Sequence, residues 1–530
     1  MAPAMPEGEV VTKSSPIPRR AAWVPIAVVV AIVVVGAALR FHAIGRKSLW
    51  LDEAATMSAV DASFGKVFRG VRDHDFHPPL YYLALHTWMQ GSRDGVWARA
   101  FSATASVATL VVFYLLARVL LARTAAVVAT AALAASAYHV YFAQEARNYA
   151  LATLLVTVSW YCLAQLLTRE LRRRWPWWAG VAAANAAALY TLYSAAFSLA
   201  AQLVLLLVLW RSVGRRLILD YVLWQLIPAA VFALWVPVVL DRFKELSRHE
   251  PPAGATLRSA EGVSETAAQF ACGFLGQLSQ AHGPVVRAAS ALACILVLAL
   301  ALRGLRHQRC ATAVALAWLL CPVVLLAAVP IRGHPYEPKH LIVASPALAL
   351  AAGVAVAAAR GRLKSRVIAL VAAIVVGNAI SLGLYYSPKV EKADWRGAVQ
   401  QFAERVQAGD MVTFTPPMDD LPFRYLYDRL GGPVVGWVQS PARTQPFRGG
   451  ELKLAHKWRK SVWVLEGFSN VEKPNPLVLD MLRNPQKYGA PRFTCAFEWT
   501  HAGLVGTVRV WQFNRAAEED ARAAERREPR

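Results

Sequence analysis

Along its 530 residues the chain alternates between apolar blocks of about 17 to 22 residues and short polar interruptions. A helix needs about that length to cross roughly 30 Å of hydrocarbon. The first block runs from Trp23 to Leu39. The others fall near 96–117, 124–142, 150–167, 177–193, 194–210, 220–240, 285–302, 311–329, 341–359 and 367–386. The pattern predicts about eleven spans packed as a helix bundle. Trp23–Leu39 is long for the apolar core of a secretory signal, and no convincing small-residue cleavage site follows it, so it reads as a retained first span.

Three longer pieces separate or follow these blocks: 40–95, 241–284 and everything after about 387. In the first, Val60, Phe64, Val67, Phe68 and Val71 recur at helical spacing, with Lys66, Arg69 and Arg72 on the other side. That is the pattern of a helix lying in the membrane interface. The apolar piece Pro79–Met89 is too short to span and is expected to lie along the membrane as well. Beyond Lys389 the pattern changes. "ADWRGAVQQFAERVQAGD" puts Trp395, Val399, Phe402 and Val406 on one helical face and ends at Gly409. "MVTFT", "SVWVLEG" and "TVRVWQF" read as short strands. The fold class expected is mainly α: a polytopic transmembrane bundle over 21–386, amphipathic interface helices in its first outer loop (40–95), and a small α/β domain over 387–514. Residues 1–20 read as a disordered start and 515–530 as a charged tail.

Composition narrows the class. With 56% hydrophobic and 17% charged residues, the chain lacks the charge of a soluble protein of this length. The net charge of +23 could suggest nucleic acid, but Lys and Arg collect in short turns: Arg118/Arg123, Arg169–Arg174, Arg211–Arg216, Arg303–Arg309 and Arg360–Arg366. The turns near 143–149 and 193–194 hold one Arg between them. This asymmetry orients a multi-pass inner-membrane protein with its N-terminus cytoplasmic and its long pieces outside. No basic face interleaved with aromatics is present, so no nucleic-acid partner is expected. The six cysteines form no CxxC pair, which indicates neither a zinc site nor a disulfide framework.

Four polar clusters stand at the outer ends of the predicted spans: Asp52-Glu53, "RDHDFHPPLYY" at 72–82, "YFAQEARNYAL" at 141–151 and "RGHPYEPKHLIVASP" at 332–346. Ionisable groups are costly at that depth, so their convergence on one side marks a candidate site. A carboxylate there can take a proton, bind a cation or pair with a basic side chain. Arg147 and Lys339 are candidates for holding a phosphate leaving group. His74, Asp75 and His77 could bind a divalent metal ion, or could form a hydrogen-bonded bend before Pro78-Pro79. Tyr149 and Tyr336 could be site residues or simple interfacial aromatics.

"SLWLDEA" after the first span, "HPPLYYL" in the first outer loop, "QEARNYAL" at the outer end of the third span and "YEPKHLIVASPAL" before a late span occur in that order. The ordered set resembles the bacterial C-type glycosyltransferases of the protein O-mannosyltransferase-like family, which are related to the aminoarabinose transferases that modify lipid A. The resemblance covers nearly all of residues 20–386 and is looser beyond. It implies that a sugar leaves a polyprenyl-phosphate carrier, with inversion, for a glycolipid, polysaccharide or protein acceptor on the outer face. Asp52 maps onto the general base, with Glu53 in support. His77 maps near the lipid phosphate, and Arg147 onto a phosphate or active-site contact. Tyr82, Glu145, Tyr149, Lys339 and His340 stand in the matching motifs as further substrate-binding positions. Where the family usually has Arg-Tyr, this chain has Lys339-His340, which keeps the charge but loses the bidentate fork. The metal of some relatives does not carry over. The alternative, a transporter or lipid flippase, would place charges along a path at mid-depth rather than at one face.

Overall fold

The computed structural model describes residues 19–247, 259–275, 283–328, 337–387, 393–415, 420–431, 435–439, 461–467, 493–502 and 507–515, with single positions between them. Residues 1–18 of the polar start, 516–530 of the charged tail and Tyr336 lie outside the described residues, while Arg19 and Arg20 open the first helix and Arg515 closes the last strand. Each of the eleven apolar blocks is helical. Among the described residues, six helices are long and apolar enough to cross a membrane, or up to eight if each of two bent pairs counts as one span.

The chain enters through α1 (Arg19–Phe41) and then leaves the bundle for three short helices: α2 (Leu51–Val60), α3 (Phe64–His74) and α4 (Leu80–Trp88). The expected single stripe from Val60 to Val71 is divided, because Val60 closes α2 and the chain turns before Phe64. Within α3, Val67 and Val71 are buried while Phe64 and Phe68 face outward. The next helix, α5 (Gly95–Leu120), begins where Asp94 accepts the Trp97 N–H at 2.8 Å, a side-chain cap that satisfies an otherwise orphaned donor.

Two later spans are broken, and the breaks position the site. Helices α6 (Arg123–Ala135) and α7 (Ala137–Ala143) meet at 55° around Ser136. The backbone donors freed there are taken up by side chains: Ser136 Oγ accepts from His139 N–H at 3.4 Å, and Asn378 Oδ1 from Ala137 N–H at 2.8 Å. Pro338–Ala344 and Pro346–Ala358 meet at 49°, and Pro346 has no N–H to lose there. A 2.8 Å hydrogen bond between His139 Nε2 and Ser345 Oγ joins the two breaks. The segments they redirect are 144–148, which leads into α8 (Tyr149–Thr168), and the turn carrying Lys339.

Beyond the bundle, the helix Trp395–Ala403 buries Trp395, Val399 and Phe402 against a sheet that has five strands among the described residues. Its strands are β1 (Met411–Thr415), β2 (Gly436–Gln439), β3 (Ser461–Gly467), β4 (Phe493–Ala502) and β5 (Thr507–Arg515), in the order β2-β1-β3-β5-β4. β2, β1 and β3 are parallel, whereas β5 and β4 run antiparallel. β1 and β3 coincide with the stretches read as strands, and β5 extends the third by two residues. A helix of this domain, Asp420–Leu430, packs beside the first outer loop: its Tyr425 joins the apolar cluster of Leu49, Met57 and Tyr81.

Candidate active site

Asp52 and Glu53 occupy the first turn of α2, and neighbouring helical positions point about 100° apart. Glu53 turns into the bundle and has no exposed surface. Its carboxylate accepts from Arg99 Nε at 2.7 Å, Arg99 Nη2 at 2.6 Å and the Ala146 N–H at 3.0 Å. Arg99, itself 2% exposed in α5, also donates to the carbonyls of Ile44, Lys47 and Ser48 at 2.8–3.0 Å. A fully committed, dry carboxylate cannot take up a proton from a ligand. The support expected from Glu53 is therefore structural.

Asp52 turns the other way and keeps 28% of its side chain open. Its Oδ2 lies 3.6 Å from Nη2 of Arg147, a buried guanidinium. Arg147 Nη1 also donates to Thr56 Oγ1 at 3.0 Å and to the Asp52 carbonyl at 3.4 Å, while its Nε is buried without a hydrogen-bond partner. Burial alone would raise the Asp52 carboxyl, but Arg147 and then Lys339 outweigh it and hold it below the usual carboxylate range.

His77, Asp75 and Tyr82 extend this cluster. Asp75 accepts from the His77 N–H at 2.8 Å, the Tyr82 hydroxyl at 2.8 Å and His77 Nδ1 at 3.2 Å. Burial, and then the Arg147 charge, push the His77 imidazole below its ordinary value, so it is neutral at pH 7. The network assigns the proton to Nδ1, leaving the Nε2 lone pair to accept from Arg147 Nη2 at 3.5 Å. A hydrogen-bonded chain thus runs from Tyr82 through Asp75 and His77 to Arg147 and Asp52. Lys339 closes the other side, with Nζ 3.0 Å from Glu337 and 5.7 Å from the Trp50 ring centre.

The structure therefore brings Asp52, His77, Arg147 and Lys339 together. Tyr82 and Tyr149 are each 1% exposed, and Glu145 is fully enclosed and hydrogen-bonded to Tyr141, so none of the three offers surface to a ligand. His340 uses Nδ1 to accept the Glu337 N–H at 3.4 Å, closing the turn that carries Lys339. His74 is exposed at the end of α3, apart from the bonded pair Asp75–His77. Among the described residues no group of three or more His, Cys, Asp or Glu side chains stands placed to hold a metal ion. A cavity of about 590 Å³ lined by Arg169, Arg172 and Arg174 lies at the far end of α8 and shares no residue with this cluster. Arg99 and Thr56 are the site residues that the sequence reading passed over.

The chain thus combines a broken-span bundle, charged groups gathered at one end of it, and a neighbouring α/β domain. Residues 76–240 match the family model described as dolichyl-phosphate-mannose-protein mannosyltransferase, which bears out the family resemblance over that segment. The chain also shares its fold with ArnT from Cupriavidus metallidurans. It matches the apo crystal structure at 13% identity with a TM-score of 0.58, covering 93% of this chain and 98% of that one. The structure of the same protein bound to undecaprenyl phosphate matches at 13% identity and a TM-score of 0.54, over the same 93% and 98%. The archaeal oligosaccharyltransferase AglB from Archaeoglobus fulgidus, in complex with an inhibitory peptide and a dolichol-phosphate, matches at 10% identity and a TM-score of 0.50, over 84% of this chain and 69% of that one. Comparison with curated proteins returns no match.

Proposed function

We propose that the chain is an inverting glycosyltransferase that moves a sugar from a polyprenyl-phosphate donor to an acceptor hydroxyl at the extracytoplasmic face. The observation that carries this reading is the open Asp52 carboxylate 3.6 Å from a buried Arg147, with Lys339 on the same side. The acceptor oxygen attacks the anomeric carbon from the face opposite the phosphate, and its proton passes to Asp52. The bond from the anomeric carbon to the phosphate oxygen breaks, and both its electrons leave with the polyprenyl phosphate. The negative charge that grows there is met by Arg147 and Lys339.

Arg147 then serves two anions in turn. While it faces Asp52 it keeps that carboxylate a weak base. An incoming phosphate competes for the same guanidinium, and Asp52 becomes more basic as the donor binds. His77 fixes Arg147 by accepting one of its N–H groups, and Glu53, Tyr82, Glu145 and His340 act as supports. No step is routed through a metal.

Orientation follows from the basic turns. Arg118/Arg123 and Arg169–Arg174 stand at the ends of α5 and α8 opposite this site, so the site faces outward and the N-terminus lies in the cytoplasm. Ile26–Phe41, Trp175–Leu189 and Ala195–Val208 are read as spanning too, which gives eleven crossings. α3 lies in the interface with Phe64 and Phe68 toward lipid.

The test uses purified protein in detergent, synthetic polyprenyl-phosphate sugars and a panel of glycolipid, polysaccharide and peptide acceptors. Sugar transfer that Asp52→Asn abolishes at unchanged folding is expected. Undiminished transfer by that variant would refute the role of Asp52. Lipid translocation in vesicles with no transfer in detergent would favour a flippase.

A further inference from the structure

The segment that delivers α2 is gripped from two sides. From the bundle, Arg99 takes the carbonyls of Ile44 (3.0 Å), Lys47 (2.8 Å) and Ser48 (3.0 Å). From the outer domain, Arg396 takes those of Gly45 (3.2 Å) and Arg46 (3.3 Å), and its own backbone N–H donates to Ser48 Oγ at 3.0 Å. Five consecutive carbonyls, 44 through 48, are thus held by two guanidiniums from different parts of the chain. Arg396 is the second residue of the helix Trp395–Ala403, whose N-terminus is fixed by Asp394 accepting the Gly397 N–H at 2.9 Å.

Two more contacts tie the same segment to the end of the last bundle helix. Arg46 Nη1 donates to the Tyr386 carbonyl at 2.9 Å, and Lys47 Nζ donates to the Val390 carbonyl. The segment starts from a constrained conformation, since Ala43 sits at φ 55°, a left-handed value uncommon for a residue with a Cβ. It ends four residues before Asp52. Little slack lies between the grip and the carboxylate.

We propose that Arg396 is a positioning residue: through the 44–48 carbonyls it lets the outer domain set how α2 presents Asp52 to Arg147. The role of Asp52 rests on the functional reading above, but the mechanical coupling does not. Arg99 alone leaves Gly45 and Arg46 unheld, whereas the two arginines together leave the segment no free carbonyl hinge between 44 and 48. Loss of Arg396 frees the side of the segment away from the bundle, and the first turn of α2 loosens while the bundle stays packed.

The experiment is hydrogen exchange by mass spectrometry on the full-length protein in detergent, comparing wild type with Arg396→Ala, Arg396→Lys and Ser48→Ala. Arg396→Ala is expected to speed exchange in peptides covering 43–57 about tenfold, with peptides from α5 and α8 and the thermal midpoint unchanged. Arg396→Lys, which keeps the charge and one or two of the donors, restores part of the protection, and Ser48→Ala shows a smaller effect at the same peptides. Unchanged exchange at 43–57, or a uniform rise across the whole chain, would overturn the proposal. A second arm measures sugar transfer: kcat falls about tenfold in Arg396→Ala while the donor KM holds, because binding groups stay and alignment is lost. A fall in transfer through KM alone would also overturn it. Absence of transfer in the wild type would count against the functional reading and leave the exchange result standing.

Discussion

Replacing Arg99 by methionine tests whether the site is held together as described. The substitution keeps most of the buried volume and removes the guanidinium. Glu53, with no exposed surface, loses two charge-assisted bonds of 2.6 and 2.7 Å. Breaking a buried pair by removing one partner costs about 3–5 kcal/mol, because the remaining charge stays in a dry place. The carbonyls of Ile44, Lys47 and Ser48 each lose a donor, worth about 1 kcal/mol apiece where water cannot replace it. These terms overlap, and a total loss of about 4–6 kcal/mol is expected, a large part of the roughly 5–15 kcal/mol that holds a typical domain folded. The assay is a double-mutant cycle of Arg99→Met and Glu53→Gln, read by unfolding in detergent. Glu53→Gln alone is destabilising, yet in the Arg99→Met background it recovers stability, because the neutral amide no longer buries an uncompensated charge. Arg99→Met within about 1 kcal/mol of wild type, or no recovery in the double variant, would refute the arrangement.

Other consequences follow from the same geometry. On the proposed function, the acid limb of kcat/KM, which reports the free enzyme, lies below the ordinary carboxylate value of about 4, because Arg147 and Lys339 outweigh burial at Asp52. The ionised form is the active one, so activity is lost as pH falls through that lowered value, and Arg147→Met moves the limb upward in a pH–rate profile. Asp75 is likewise held low: its burial is outweighed by the His77 hydrogen bond and by the charges around it. Its stabilising contribution is present above about pH 4 and fades on acidification, which unfolding curves of Asp75→Asn lacking that dependence would check. Tyr82→Phe removes a 2.8 Å bond to a charged acceptor and costs about 1.5–3 kcal/mol, measurable as a lowered unfolding midpoint. On the proposed function, Lys339→Met weakens binding of a polyprenyl phosphate about tenfold in a titration, and Lys339→Arg retains it.

The bundle was legible because apolar length is a strong signal, and every predicted span coincides with a helix. Its breaks were not. Ser136 and Ser345 sit inside apolar runs, and the breaks there are held by Asn378 accepting the freed Ala137 N–H and by the side-chain bond between His139 and Ser345, partners 206 or more residues away. The four polar clusters were legible from the cost of charge at membrane depth. The same argument applies to Arg99, near the start of a predicted span, but nothing in the sequence shows that Glu53, 46 residues away, is its partner. In the outer domain, β1, β3 and β5 were readable from their β-branched and aromatic content. β2 has four residues, and β4 is interrupted by a bulge between Cys495 and Phe497, so neither shows clean alternation.

The opposed fates of two adjacent carboxylates give the site its logic. Asp52 and Glu53 carry the same charge on the same turn, and only their directions around α2 differ. Toward the bundle, a carboxylate meets a guanidinium in fork geometry, is dried and is removed from chemistry. Toward the open side, its neighbour meets Arg147 at 3.6 Å, a separation that leaves its oxygens free for a better-placed donor. Pairs of titratable groups whose surroundings differ this way divide between structural and chemical work. Changing the separation tests the division: Asp52→Glu in an otherwise native chain lengthens the open carboxylate by one methylene and drives it onto Arg147. On the proposed function, the tighter pair lowers basicity at the reacting position, so kcat falls while polyprenyl phosphate binding weakens through competition for Arg147. A variant with native kcat and native phosphate affinity would show that the 3.6 Å separation plays no part in the reaction.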